Sequence, residues 1–266
     1  MKPSICLATA CAIREASAPT VPFLSPTSPT DAPTAIAPVP MVAAARDQYF
    51  DLAREFKATM SIDCKPYFVG VWDTVSSVGW VENPLHLPYS SNNSDIAIGR
   101  HAISIDERRA FFRTNLWHPA QVGSDPGGPR DLKQIWFPGV HCDVGGGYPE
   151  MESGLSKIAL EWMLTEAKSK GLLVDPAKEA EILPKSDTIT HSAPDPHGKF
   201  HESLKGFWNI AEFIFKRHYN RNTTRDEHRM NLYRRRTIPP GSIIHPSVYQ
   251  RGGYDKLLPD DAKPGM

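Results

Sequence analysis

Residues 134–148 read QIWFPGVHCDVGGGY. An apolar run climbs to His141, Asp143 follows two residues later, and Gly145, Gly146 and Gly147 come next. A short apolar run bounded by turn formers has the pattern of a buried strand. Three glycines after it let the chain turn tightly through conformations that other residues resist. The text that follows, ESGLSKIALEWMLTEAKSKGL, is the clearest helix in the chain. Ser153 stands where an N-cap belongs, Leu155, Ile158, Ala159, Trp162 and Met163 form one apolar face, and Gly171 supplies the stop. Strand, glycine turn and helix in this order predict an α/β architecture.

Upstream, KPYFVGVW predicts an earlier strand that finishes on Asp73, and the loop PAQVGSDPGGPRD leads into the strand that finishes on His141. Ligands of open parallel sheets bind at the carboxyl ends of the strands. A carboxylate at one strand end and an imidazole at a later one is the second part of the α/β-hydrolase chain order, in which a nucleophilic serine comes first. In that reading Asp73 orients His141 and stabilises its charged form. His141 takes the proton from the nucleophile and returns it to the leaving group. Asp143, close to the histidine in sequence, is the alternative acid.

Plainer readings stand beside these. A structural histidine can satisfy the carbonyls of its own turn, and an aspartate at a strand exit commonly caps the turn. Cys142 adjoins the histidine, yet neighbouring residues on an extended strand point to opposite sides, so it reads as a small core residue and not as a nucleophile. His141, Asp143 and Asp73 are acceptable metal ligands by type, but a further carboxylate at a diagnostic spacing is absent, and no metal or cofactor is expected. A cradle for an anion at the glycines would need donors that the sequence does not place.

Thirty basic residues balance thirty acidic ones, so bulk charge gives no argument for a nucleic-acid partner. Cys6, Cys11, Cys64 and Cys142 lack the spacing of a disulfide scaffold or of zinc knuckles, which favours a reducing, cytoplasmic setting over a secreted one. The apolar stretch from Ile5 to Ala12 is far shorter than the ~20 residues of a membrane span. Pro, Ala, Ser and Thr dominate from Ala16 to Pro40, and residues 1–45 read as a disordered leader. The globular part starts near Arg46, with Tyr49, Leu52, Ala53 and Phe56 at helical spacing. It runs to about residue 258, leaving 259–266 as a tail.

HESLKGFWNIAEFIFKRHY predicts a helix with Leu204, Phe207, Trp208, Ala211 and Phe215 on one side, either core or the lining of an acyl-chain groove. Beyond it, residues 216–236 gather Lys216, Arg217, Arg221, Arg225, Arg229 and Arg234 to Arg236 around only Asp226 and Glu227, with Tyr219 and Tyr233 among them. Such a stripe suits the phosphates of a membrane surface, or is a solvated helix face. No nucleic-acid module accompanies it, so none is expected as partner. Asp106, Glu107, Arg108 and Arg109 form either an ionic brace beside the site or an exposed charged helix face.

GVWDTVSSVG, RHAISIDERRAFF, WFPGVHCDVGGGYPE, GLSKIALEWM, HESLKGFW and IHPSVYQR, in this order and spacing, resemble the catalytic domain of type VI secretion phospholipase effectors. The resemblance covers residues 46–258. It implies an α/β-hydrolase fold, cleavage of a phospholipid or other ester, no cofactor, a Ser-Asp-His triad to which His141 and Asp73 belong, and the brace reading of Asp106 to Arg109. The chain departs from that family at its front. No Gly-x-Ser-x-Gly occurs in the 266 residues, so the nucleophile is missing from the chain. The expectation is therefore the C-terminal part of a hydrolase-like parallel sheet flanked by helices, inactive as written, with a bare edge where leading strands would pair. The other reading is a non-catalytic protein that keeps the pocket for binding lipid or protein.

Overall fold

The computed structural model describes residues 5–9, 51–60, 65–75, 79–80, 83–84, 93–117, 128–206, 208–209, 212–213, 216–220 and 225–265. Two compact units divide the chain, one of residues 1–14 with 65–266 and one of 15–64. The smaller contributes a helix, α1, over residues 51–60, on which Leu52 and Phe56 are exposed.

The larger unit is built on a six-stranded sheet: β1 (Ile5–Thr9), β2 (Phe68–Trp72), β5 (Ile98–Ser104), β6 (Asp131–Phe137), β9 (Ile243–Ile244) and β10 (Lys263–Pro264), side by side in that order. Every adjacent pair is parallel. Two antiparallel hairpins stand apart from it, β3 (Gly79–Trp80) with β4 (Asn83–Pro84) and β7 (Lys216–Asn220) with β8 (Arg225–Arg229). The α/β expectation therefore holds.

Parallel sheets need cover on both faces, and the period-two alternation of the central strands supplies it. Phe68, Trp72, Ile98, Ala102, Ile135 and Phe137 pack against helix α3 (Gly154–Ser169) through Leu155, Ile158, Ala159, Trp162 and Met163. This is the apolar face read from the sequence. Ile103, Ile105, Trp136 and Ile244 point the other way, into a second cluster with Ile238, Val248 and Tyr254. Val248 lies on α5 (Pro246–Arg251), which His245 caps by accepting from the Ser247 N–H. Between α3 and α5 in the chain comes α4 (Pro176–Ile182), capped by Asp175.

Four expectations change. Ile5–Thr9 falls in the stretch read as a disordered leader, but it pairs residue for residue with β2, so that edge is not bare. An apolar pentapeptide suffices where a parallel neighbour presents unpaired backbone groups. The other residues of 1–45 lie outside the described set. Residues 259–266, read as a tail, supply β10, and Leu258 and Ala262 pack on the second core cluster. The helix expected from HESLKGFWNIAEFIFKRHY does not reach its basic end, because Lys216–Asn220 is a strand paired with Arg225–Arg229; Phe207, Ala211 and Phe215 lie outside the described residues. Ser153 occupies the N-cap position of α3 without capping it, since its hydroxyl donates to the Glu150 carbonyl.

Candidate active site

The site collects at the carboxyl ends of the three neighbouring strands β2, β5 and β6. Asp73 follows β2 directly. Its backbone N–H still donates to the Ala102 carbonyl, after which the residue turns into the left-handed region at φ 44°. Aspartate tolerates that conformation better than most side chains, and such residues cluster at functional sites. The turn carries the carboxylate inward, where it has no exposed surface.

His141 arrives from β6 through the tight turn at Pro138–Val140. Gly139 adopts φ +108°, and a Cβ there would lie 2.4 Å from Cβ of Asp143, so glycine is required. The turn opens helix α2 (His141–Gly145), with His141 as its first residue. Nδ1 of His141 then lies 2.6 Å from Oδ2 of Asp73, and both side chains are buried. A carboxylate accepts only, so Nδ1 holds a proton, and in the neutral tautomer this leaves Nε2 as the base. Phe112 packs edge-on against the imidazole at 4.9 Å between ring centroids. Among the described residues, no side chain hydrogen-bonds Nε2.

Asp73 is held by more than the histidine. The Arg236 guanidinium donates from Nη1 to Oδ1 at 2.5 Å and from Nη2 to Oδ2 at 3.0 Å. The Ser104 N–H donates to Oδ1 at 2.9 Å. Arg236 itself is anchored by the Ser104 carbonyl and hydroxyl and by the Phe112 carbonyl. Burial alone would push the Asp73 pKa up, but the Arg236 charge and the hydrogen bonds from His141 and Arg236 outweigh it, and the carboxyl sits well below its usual range. The aspartate is a fixed anion.

Asp143 has a different occupation. It reaches back to the Val140 N–H at 3.1 Å, the N3-to-N-cap half of a capping box, and meets Nδ1 of His201 at 2.6 Å. Nε2 of His201 lies 2.9 Å from Glu152, and the ring stacks on Tyr148. Burial raises the Asp143 pKa against these donors. Of the two candidate acids, Asp73 is the one that touches His141.

Asp106 to Arg109 form the brace expected of them. Asp106 accepts from the Gly139 N–H, Arg235 and Tyr254, while Glu107 accepts from Arg109, the His141 N–H and the Ser203 hydroxyl. Arg109 in turn lies over the Phe112 ring at 3.5 Å. The glycines after α2, with Gly146 at φ +83° and Gly147 at φ +119°, open a cavity of about 310 Å³ lined by Trp72, Tyr148, Ser156, Lys157 and Leu160 among others. Lys157 is buried there and paired with Glu150. Cys142 is disulfide-bonded, so it is not the free core thiol read from the sequence. Among the described residues, no cluster of three His, Cys, Asp or Glu side chains is placed to hold a metal ion, and no helix is long and apolar enough to cross a membrane.

Arg236 is the site residue that sequence reading missed. It stood in a run of three arginines that read as a surface stripe, and nothing local distinguishes it from Arg234 and Arg235.

The family described as "T6SS, Phospholipase effector Tle1-like, catalytic domain" matches residues 33–166, half of the chain, a span that holds Asp73, His141 and Asp143. The chain belongs to this family. Arg236 and His201 lie beyond the matched span. The chain is also similar to the uncharacterised protein YEL023C of Saccharomyces cerevisiae, with 39% identity over 70 residues, which is 25% of this chain and 10% of the yeast protein. The similarity thus spans about a tenth of that relative's length. No solved structure matches the chain.

Proposed function

We propose that this chain carries the acid–base half of a phospholipase-like ester hydrolase. Asp73 keeps the imidazole in the tautomer whose Nε2 is a base and offsets the charge that forms when Nε2 takes a proton. Arg236 keeps Asp73 ionised and stationary, acting through the aspartate as a positioning residue. His141 would deprotonate an attacking hydroxyl and then protonate the departing alcohol of a lipid ester. The observation that carries this reading is the buried contact of 2.6 Å between His141 Nδ1 and Asp73, at the ends of β6 and β2 on either side of β5. Membership of a phospholipase catalytic-domain family supports a lipid ester as the substrate class.

The 266 residues contain no Gly-x-Ser-x-Gly, and among the described residues no hydroxyl meets Nε2. An ordinary surface serine cannot replace the elbow, whose sharp turn places the oxygen beside its oxyanion donors. The chain as written is therefore read as inactive. The same observation favours a second reading, in which the pocket binds lipid without cleaving it.

Release of fatty acid from phospholipid vesicles by the purified chain tests the proposal. No release above the buffer rate is expected. Release that disappears in His141→Ala would keep the acid–base pair and overturn the inactivity. Release indifferent to that change would overturn both.

A further inference from the structure

We infer that the turn Asn231–Arg235, together with Phe213, is a docking element for an anionic phospholipid surface; the inference rests on the lipid-ester reading of the site. Leu232 and Tyr233 are consecutive non-glycine residues in the left-handed region, at φ 49° and φ 60°. Neither side chain gains a core position from this, since Leu232 is 48% and Tyr233 39% exposed. Phe213, 52% exposed, meets Tyr233 edge-on at 6.1 Å between centroids. Asparagine or glycine would adopt these backbone angles with less strain. Large apolar side chains on a strained, solvent-facing turn therefore serve something outside the molecule.

The turn is also rigid. Glu212, fully buried, accepts from the Ala110 N–H, the Asn231 side-chain amide and the Tyr233 N–H, while its carbonyl accepts from the N–H groups of Asn231 and Leu232. Asn231 in addition donates to the Arg108 carbonyl at 2.7 Å. The apolar group is thus presented on a fixed platform.

Charge selects the occupant. Arg234 is exposed, and Arg235 keeps 46% of its side chain exposed while it bonds Asp106. The next residue, Arg236, is the buried fork on Asp73, so the surface element is continuous with the site. Two aromatic rings and a leucine flanked by arginines match the apolar boundary and negative head groups of an anionic bilayer, and the chain's net charge of zero makes this a local attraction.

Co-sedimentation of the full chain with phosphatidylcholine vesicles, alone or mixed with phosphatidylglycerol, tests the inference. Binding to the mixed vesicles that weakens with added salt is expected. Leu232→Asn combined with Tyr233→Gly should weaken it roughly tenfold while the melting temperature stays level or rises, because apolar contact is lost and backbone strain relieved. Arg234→Gln should cost about fivefold on mixed vesicles only. Unchanged binding by the double variant overturns the inference, as does equal binding to both vesicle types or none to either. A concentration-dependent dimer abolished by the double variant would also overturn it, making the turn a contact between copies. Vesicle binding without fatty-acid release leaves docking intact, whereas hydrolysis of a soluble short-chain ester without vesicle binding removes docking alone.

Discussion

Removing Arg236 should damage the molecule far more than its place in a basic stripe suggests. Its side chain is 3% exposed and that of Asp73 0% exposed, so each charge depends on the other for the solvation it lost on folding. Arg236→Met leaves the carboxylate with the Ser104 N–H and His141 as donors and no fixed positive charge. Asp73→Asn leaves the guanidinium with neutral acceptors alone, the amide oxygen at position 73 and the Ser104 and Phe112 oxygens. Breaking one side of a buried pair costs about 3–5 kcal/mol, which corresponds to a melting temperature lower by about 10 °C in a domain of this size. The double variant strands no charge, so its loss should fall short of the sum of the singles by about 2 kcal/mol or more. Urea unfolding followed by circular dichroism, run on all four members of the cycle, gives these quantities. Singles that each cost under about 1 kcal/mol, or a double variant whose loss is additive, would refute the reasoning.

Acid should weaken the fold in two windows. Burial lowers the His101 pKa to about 4, and its Nε2 accepts the Thr74 N–H beside the site. The unfolded chain takes up this proton first, so stability falls as pH drops from about 6.5 to about 4, by about 3 kcal/mol. His101→Gln should flatten that slope in urea midpoints measured between neutral pH and pH ~4.5; an unchanged slope contradicts the assignment. The depressed Asp73 pKa acts lower, since its stabilisation is complete above about 4 and is lost as pH falls toward the folded value. Gly139→Ala forces a Cβ against Asp143 at a positive φ and should cost at least about 2 kcal/mol in the same assay. Asp143→Asn should leave the deshielded proton resonance of the His141 Nδ1–H in place, whereas Asp73→Asn should remove it.

What the sequence disclosed, it disclosed through short-range pattern. The alternating FVGVW and IWF runs, the helical face from Leu155 to Met163, and Asp73 and His141 at strand ends each follow from neighbours within a few residues. The choice between Asp73 and Asp143 was not legible, because it depends on whether β5 seats between β2 and β6 and brings the two strand ends together. Arg236 was hidden for the same reason, being 163 residues from its partner Asp73 and framed by arginines that face solvent. β1 and β10 were misread because five- and two-residue edge strands take their order from the neighbour and carry little signal of their own. The basic run formed a hairpin and not a helix face, a matter of pairing that composition does not encode.

The proton acceptor oriented by Asp73 and Arg236 meets no hydroxyl among the described residues, and the sequence holds no Gly-x-Ser-x-Gly. Intact mass of the full chain after exposure to a serine-directed fluorophosphonate measures this most directly. An unmodified mass is the predicted result. A single adduct per chain that vanishes in His141→Ala would contradict it, since that serine would be an attacker within this chain.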